Sequence, residues 1–291
     1  MKKLTSILFC FIINFVFSQN KNDIRLYYQL FIEGIPNSIY ILDYSTSDKV
    51  SYFYSSNLLI NDSLNEAIRK KMQMSNITVN TNNFKRSFIK EIIKTEFDKT
   101  VIYTNIESDF FKYPLDISPI LWTNISGSTN HTLGFKTSQA LTSFGGRKWV
   151  AHFSEELPFS IGPYKFKDLP GAIVKISDED NNFEFDLIGI EKINTKINID
   201  ERKYIKINLK KFLHLYEQFL NDPGKNMREG LIITDDGNKF YVEGGISKEL
   251  IDSKIKNAYS GLHSENKCIE VDGEICKINN KILLKNETTK N

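Results

Sequence analysis

Residues 145–176 read GGRKWVAHFSEELPFSIGPYKFKDLPGAIVKI, and this stretch decides the fold. Residues 148–153 and 172–176 are β-branched and aromatic runs that predict strands. The second run returns through an acidic turn at residues 178–182 into Phe183-Glu184-Phe185-Asp186-Leu187, where apolar and polar residues alternate strictly. Such alternation indicates a strand with one buried face and one wet face, which is typical of antiparallel sheets.

The centre of this stretch, residues 162–171, predicts an obligatory corner that feeds a core hairpin. Gly162 and Pro163 indicate a turn, after which Tyr164 and Phe166 are expected on one face. Leu169-Pro170-Gly171-Ala172 suits a type II turn, in which proline fixes φ and Gly171 supplies a positive φ. A recognition surface for a partner is the alternative interpretation of the same residues.

The rest of the chain indicates more strands and a few helices. Further β-branched or aromatic runs lie at residues 24–31, 39–44, 50–54, 87–93 and 100–106. Helices are predicted after the capping box Ser63-x-x-Glu66, along the apolar stripe from Leu209 to Leu220, and after Ser247. Residues 235–238 predict a tight hairpin turn. We therefore expect an α+β fold with a predominantly antiparallel, curved β-sheet and about three packed helices.

The ends of the chain predict an export signal and a small C-terminal unit. A basic start, an apolar run at residues 4–17 and a polar continuation are typical of a secretory signal peptide at residues 1–18, with a membrane anchor as the alternative. We expect one β-rich domain at residues 19–265, then a C-terminal hairpin and frayed tail at residues 266–291. The mature chain is predicted to be exported to the periplasm or cell surface, with no transmembrane segment.

Charge and residue spacing argue against several functional classes. The formal net charge is only +2 and the arginines are scattered, so we expect no nucleic-acid partner. His131, His152, His214 and His263 have no second histidine or cysteine at metal-ligand spacing. The acidic turn at residues 178–182 lacks the glycine and glutamate of a calcium loop. We expect no metal, no organic cofactor and no catalytic residue.

Two cysteines remain once the signal peptide is removed, Cys268 and Cys276. Val271-Asp272-Gly273 predicts a three-residue hairpin loop with Gly273 in the left-handed conformation. Counting outward from this loop places Cys268 opposite Cys276, and exported compartments are oxidising. The sequence therefore predicts a disulfide between them; two free thiols are the alternative.

The GPYKF and LPG motifs within residues 162–171, behind a signal peptide, resemble the GLPGLI family of exported Bacteroidota proteins. The strong match covers roughly residues 118–192. Asp168 stands where the hexapeptide has its first glycine, and Ala172 where it has its second leucine, so the chain resembles a divergent member. No activity is established for the family. Its members often occur beside energised outer-membrane transporters, which implies a periplasmic or surface accessory role.

These features favour a non-enzymatic accessory protein that binds an envelope protein or peptide, such as an outer-membrane transporter. The alternative is a carrier of an apolar ligand, a lipid or lipopeptide, held in the cavity of a curved sheet with helices as a lid. A continuous apolar pocket of about 300 Å³ or more would favour the carrier, and a filled core would favour the partner-binding protein. A hydrolase is a third alternative.

Overall fold

The computed structural model describes residues 23–61, 63, 87–132, 134–194, 196–233, 239–242, 245–260, 262 and 267–288. The predicted signal peptide and most of the helix predicted after Ser63 lie outside these ranges, as does the predicted turn at residues 235–238. Among the helices of the described ranges, none is both long enough and apolar enough to span a bilayer.

Most of the described chain forms β-strands. The first six are β1 (Asp23–Ile32), β2 (Ile35–Ser45), β3 (Val50–Ser55), β4 (Ile92–Glu96), β5 (Lys99–Ile106) and β6 (Asp109–Leu115). The next six are β7 (Thr123–Thr132), β8 (Phe135–Phe144), β9 (Arg147–Ser154), β10 (Ala172–Asp178), β11 (Phe183–Ile193) and β12 (Ile205–Lys206). A separate hairpin consists of β13 (Leu231–Ile233) and β14 (Lys239–Tyr241).

The twelve strands of the main sheet lie in the order β12-β6-β5-β4-β3-β2-β1-β11-β10-β9-β8-β7. Strands β1–β6 form one antiparallel meander, which we call the first meander, and β7–β11 form the second meander. The two are joined by antiparallel pairing of β1 with β11, from Asp23 opposite Ile193 to Ile32 opposite Phe183. Only the two-residue β12 pairs in parallel, beside β6. The predicted antiparallel α+β fold is confirmed.

Within the described residues the helices with defined bounds are α1 (Leu209–Asn221), α2 (Lys225–Arg228), α3 (Lys248–Ser260), α4 (Glu274–Thr288) and a 3-10 turn at Glu201–Lys203. Residues 56–61 and 63 are also helical, so the prediction of a helix that starts at Ser63 is wrong about its beginning. The predictions of α1 and α3 are confirmed. Each begins after a side-chain cap: Asn208 Oδ1 accepts from Lys211 N at 2.8 Å, and Ser247 Oγ accepts from Leu250 N at 3.3 Å. The predicted pairing of β13 with β14 is confirmed as well.

Helix α4 corrects the prediction of a hairpin and frayed tail at residues 266–291. Gly273 O accepts a hydrogen bond from Lys277 N at 3.1 Å, so the chain turns into a helix instead of a return strand. Cys276, Asn279 and Ile282 are buried at a helical spacing. Tyr216 on α1 donates to Asn279 Oδ1 at 3.0 Å, which ties α4 to α1. Packing against α1 therefore decides the conformation of this segment.

The core lies mainly on one face of the sheet. Trp149, Phe183 and Phe185 from the second meander are fully buried there, together with Phe53 from β3. The same face is covered by α1 and by residues 155–171, the connection between β9 and β10, which we call the plug. The core of the protein is thus a sheet face covered partly by a helix and partly by an irregular segment.

A smaller cluster on the opposite face includes a buried charge, Asp43. This carboxylate accepts hydrogen bonds from Arg25 at 2.6 and 2.9 Å, from the Tyr54 hydroxyl at 3.0 Å and from Ile197 N at 2.9 Å. The chain after β11 is held there, where Ile199 also packs. Because every partner belongs to the scaffold, the cluster fixes this face structurally.

Candidate functional site

The residues predicted to form a turn lie inside the plug. Phe166 N donates to Pro163 O at 3.1 Å, so the predicted turn after Gly162 is confirmed. Phe166 and Leu169 are buried, and Pro170 is exposed. The plug is not a surface corner, because its apolar side chains belong to the main core.

Two backbone details of the predicted turn are wrong. Tyr164 and Phe166 both face the main core, with ring centroids 6.4 Å apart, but they do so from an irregular segment in which Tyr164 adopts φ = +58°, not by alternating along a strand. Asp168 also has a positive φ, +74°, whereas Gly171 is absent from the described residues with positive φ. Left-handed backbone is therefore placed at Tyr164 and Asp168 rather than at Gly171, so residues 169–172 do not form the predicted type II turn.

Gly171 is nevertheless required, for a steric reason. A β-carbon at this position would overlap the carbonyl of Ser154, 2.5 Å from its carbon atom, and lie 2.8 Å from Glu155 N. Both neighbours are backbone atoms at the end of β9, so they cannot rotate away as a side chain could. Close approach between the two ends of the plug therefore excludes any residue with a side chain.

The plug fills the face of the second meander and reaches across to the first. The Phe166 ring packs 4.7 Å from Trp149 and 5.2 Å from Phe144. Lys167 O accepts from Trp122 Nε1 at 2.8 Å, and Lys167 Nζ donates to Phe97 O, in the turn between β4 and β5, at 2.8 Å. The plug is thus fixed by contacts on both sides.

The predicted disulfide between Cys268 and Cys276 is confirmed, with Cα atoms 6.0 Å apart. The predicted strand register is wrong, because Cys276 lies in the first turn of α4 and Gly273 does not have a positive φ. The bridge closes residues 268–276 into a loop, which we call the disulfide loop.

The disulfide loop docks on the turn between β8 and β9. Val271 N donates to Gly145 O at 2.8 Å, and Arg147 Nε donates to Cys268 O at 2.9 Å. Gly145 has φ = +62°, and a β-carbon there would lie 2.9 Å from Glu270 Cα. Residues 145–171 therefore provide both the plug and the turn between β8 and β9 on which the C-terminal segment docks. We call this turn the platform.

Arg147 also connects this platform to the acidic turn at residues 178–182. Its guanidinium donates to Asp178 Oδ2 at 2.9 Å, and both side chains are buried. Asp178 Oδ1 accepts from Phe183 N at 2.7 Å, closing the β10–β11 turn. The interpretation of this segment as a hairpin turn is confirmed, with Asp178 in a structural role.

A third contact joins the disulfide loop to the plug through Glu270. Its Oε1 accepts hydrogen bonds from the Tyr164 hydroxyl and from the Lys165 ammonium group. Burial, followed by the negative charge of Glu270, raises the pKa of Tyr164 well above its ordinary value. The Lys165 side chain is only 9% exposed, so its charge is neutralised at a largely dry contact.

A cavity of about 370 Å³ lies beside this contact, on the face of the first meander. Most of its wall is apolar: β4 and β5 contribute Ile93 and Ile102, α1 contributes Leu209 and Leu213, and the disulfide loop contributes Ile275. The segment before β4 adds Phe88 and Ile89, and β6 adds Tyr113 and Leu115. Sheet, helix, plug and disulfide loop together line a half-open space of the size that small ligands occupy.

Two polar groups of the cavity wall are incompletely satisfied within the described part of the chain. Tyr113 is 3% exposed, yet its hydroxyl makes no hydrogen bond to a described residue. Glu91 accepts one hydrogen bond, from Lys90 N at 3.1 Å, and forms no ion pair with a described residue. Burial, and then the charges of Glu91 and Glu270, raise the pKa of Tyr113. Its hydroxyl is therefore a neutral hydrogen-bonding group in a negative field.

Local motifs in the sequence indicate the plug and the disulfide, whereas a cavity was predicted only as an alternative and without its residues. Glu91, Tyr113 and Leu213 lie in separate parts of the sequence and carry no shared motif. Among the described residues, no group of three or more His, Cys, Asp or Glu side chains is placed to hold a metal ion.

Comparison with known proteins leaves the family open. No family model and no curated protein matches the chain. Among solved structures, two crystal forms of PNGF-II align at TM-scores of 0.46 and 0.44, with 12% and 13% identity over 66% and 67% of this chain. The alignments cover 32% and 33% of PNGF-II, so the chain spans about a third of that protein's length. An uncharacterized conserved protein from Thermus thermophilus aligns at a TM-score of 0.36 and 5% identity, over 65% of this chain and 92% of that one.

Proposed function

We propose that this protein is an exported, non-enzymatic carrier that binds a small, largely apolar ligand in the cavity of the first meander. The observation that carries the proposal is the cavity itself, about 370 Å³ with predominantly apolar walls. This volume lies at the lower end of the range of about 300–1,000 Å³ that is usual for small-ligand pockets.

The arrangement of charges at the cavity supports binding in preference to catalysis. Lys165 and Glu270 are the closest pair of opposite charges there, and each neutralises the other. Neither is free to act on a substrate as base or nucleophile. The largest part of the wall consists of aliphatic and aromatic side chains, which suit an apolar ligand.

Export is part of the proposal. Its support is the disulfide between Cys268 and Cys276, since such bridges persist in oxidising compartments. The order of basic, apolar and polar residues at the N-terminus supports it independently. Membership of the GLPGLI family, binding of an envelope protein and a link to outer-membrane transport stay predictions.

The cavity can be tested with N-phenyl-1-naphthylamine, an uncharged apolar fluorophore. We expect it to bind the purified protein at one equivalent with a large increase in emission. Leu213→Trp places an indole in the cavity and should abolish this signal. Leu284→Trp is the matched control, because Leu284 is 63% exposed on α4 and does not line the cavity.

Equal binding to Leu213→Trp and to Leu284→Trp would place the fluorophore elsewhere and contradict the proposal. An absence of binding to the unmodified protein would contradict it too. Mass spectrometry of organic extracts from protein isolated from its native envelope would then identify the natural ligand.

A further inference from the structure

Four polar side chains of the cavity wall are linked by electrostatic interactions or an ion pair, and we call them the polar end of the cavity. They are Tyr113, Glu91 and the paired groups of Glu270 and Lys165. A purely aliphatic ligand would leave the Tyr113 hydroxyl without a partner and the Glu91 carboxylate with only the hydrogen bond from Lys90 N. Leaving such groups unpaired is costly, so a ligand that satisfies them would bind more tightly.

The sign of the charge follows from which groups are already neutralised. Lys165 is paired with Glu270, and Glu274 with Lys277 at 2.7 Å. Lys90 and Asp272 are exposed, so water screens both of them. Lys267 is half-buried in the lining and forms no ion pair with a described residue, and its Nζ lies beside Gly34 in the turn between β1 and β2. Glu91 is left as the carboxylate without an ion pair among the described residues of this polar end.

The negative charge of Glu91 affects the pKa values of three surrounding tyrosines. Its charge contributes, after burial, to raising the pKa of Tyr113 and of Tyr216, and it also acts on the pKa of Tyr164. The hydroxyls of Tyr164 and Tyr216 are occupied by Glu270 and by Asn279. The Tyr113 hydroxyl is therefore the acceptor that remains available to a ligand, inside a negative field and among aromatic rings.

Building on the proposed carrier function, we infer that the cavity selects an amphiphile with a primary ammonium head and an apolar tail. The ammonium group would donate to the carboxylate of Glu91 and to the hydroxyl of Tyr113. The tail would lie along Ile93, Ile102 and Leu213. A primary ammonium fits because it offers several N–H donors on one small cation, matching one carboxylate and one hydroxyl.

The test compares three ligands with the same eight-carbon tail and different heads: octylammonium, octanol and octanoate. Each competes with N-phenyl-1-naphthylamine at pH 7, far below micellar concentration. We expect octylammonium to bind at least about tenfold more tightly than octanol, because charge-assisted hydrogen bonds exceed neutral ones, with octanoate the weakest of the three.

Two variants locate the effect. Glu91→Gln should reduce the affinity for octylammonium about tenfold and leave octanol unchanged, whereas Glu155→Gln, an exposed carboxylate away from the cavity, should change neither. Tyr113→Phe keeps the ring stacked on Phe212 at 4.9 Å, so the melting temperature should hold while octylammonium affinity falls several-fold.

The outcomes separate the two proposals. If octanol binds but octylammonium binds no tighter than octanoate, the ammonium inference is overturned and the carrier function stands. An unchanged preference in both Glu91→Gln and Tyr113→Phe would overturn it as well. If neither the fluorophore nor any octyl compound binds, the carrier function fails and the inference fails with it.

Discussion

The two meanders cover the same sheet face in different ways. Over the second meander, the chain's own plug fills the space, and Phe166 and Trp149 are each at most 1% exposed. Over the first meander, α1 and the disulfide loop cover the sheet and leave about 370 Å³ unfilled. We call the face of the second meander the filled half and the face of the first meander the hollow half; a ligand can be accommodated in the hollow half without displacing the core.

The largest expected contrast comes from removing a side chain in each half. Phe166→Ala deletes a ring packed against Trp149 and Phe144, and we expect a loss of about 3–5 kcal/mol of unfolding free energy. Leu213→Ala, at the edge of an existing cavity, should cost less than about 2 kcal/mol. Urea unfolding measures the loss of unfolding free energy in each variant. Equal losses would contradict the difference between the two halves.

The next effect tests why Gly171 is required. Gly171→Ala brings a methyl group against the backbone of Ser154 and Glu155, and we expect it to destabilise the fold by about 3 kcal/mol. Gly189→Ala is the control, since its β-carbon would make an ordinary 3.4 Å contact with the Tyr27 ring. If both variants melt at the temperature of the unmodified protein, the steric role of Gly171 is wrong.

Removing the disulfide should loosen the wall of the cavity and the contacts that the disulfide loop makes with the β8–β9 turn and the plug. The double variant Cys268→Ser with Cys276→Ser opens a short loop, which is expected to cost roughly 2–3 kcal/mol. Because this loop walls the cavity, hydrogen exchange should rise in residues 267–279 and binding of N-phenyl-1-naphthylamine should weaken. Exchange in the central pair β1 and β11, which the disulfide loop does not contact, should stay as it was; a uniform rise across the sheet would contradict this localisation.

The smallest effect concerns the left-handed residue at the end of the plug. Asp168 has φ = +74°, a conformation that glycine adopts without strain. Asp168→Gly should therefore stabilise the protein, by about 0.5–1 kcal/mol, and its ion-pair contact, 3.9 Å from Lys167, is too exposed to offset this. A lower melting temperature for this variant would show that the aspartate has a further role.

The sequence predicted most of the strands with apolar composition, but the run at residues 87–93 overlaps only the start of β4, and β6, β7 and β8 were missed. β-branched and aromatic runs identified β1, β2, β3 and β5, as well as β9–β11. Strands β7 and β8, TNISGSTNHT and FKTSQALTSF, are rich in threonine, serine and asparagine, and they become strands because β9 offers a partner edge.

The site was only half predictable for a related reason. Local residue patterns predicted the plug and the cysteine pair. The conformations predicted for Gly171 and Gly273 were wrong, because neither has a positive φ. Glycine at position 171 reflects close backbone approach, which sequence alone cannot tell from a positive φ. The cavity depends on β4–β6, α1 and the disulfide loop meeting in space, and no local pattern encodes such a void.

The contrast between the halves can be tested in one measurement, a methyl-resolved NMR titration of the protein with octanol. We predict that chemical shifts change at Ile93, Ile102 and Leu213, which line the cavity, and stay constant at Ile161 and Leu169 in the plug. Shift changes centred on the plug, or none at the cavity methyl groups, would contradict the account of a filled and a hollow half.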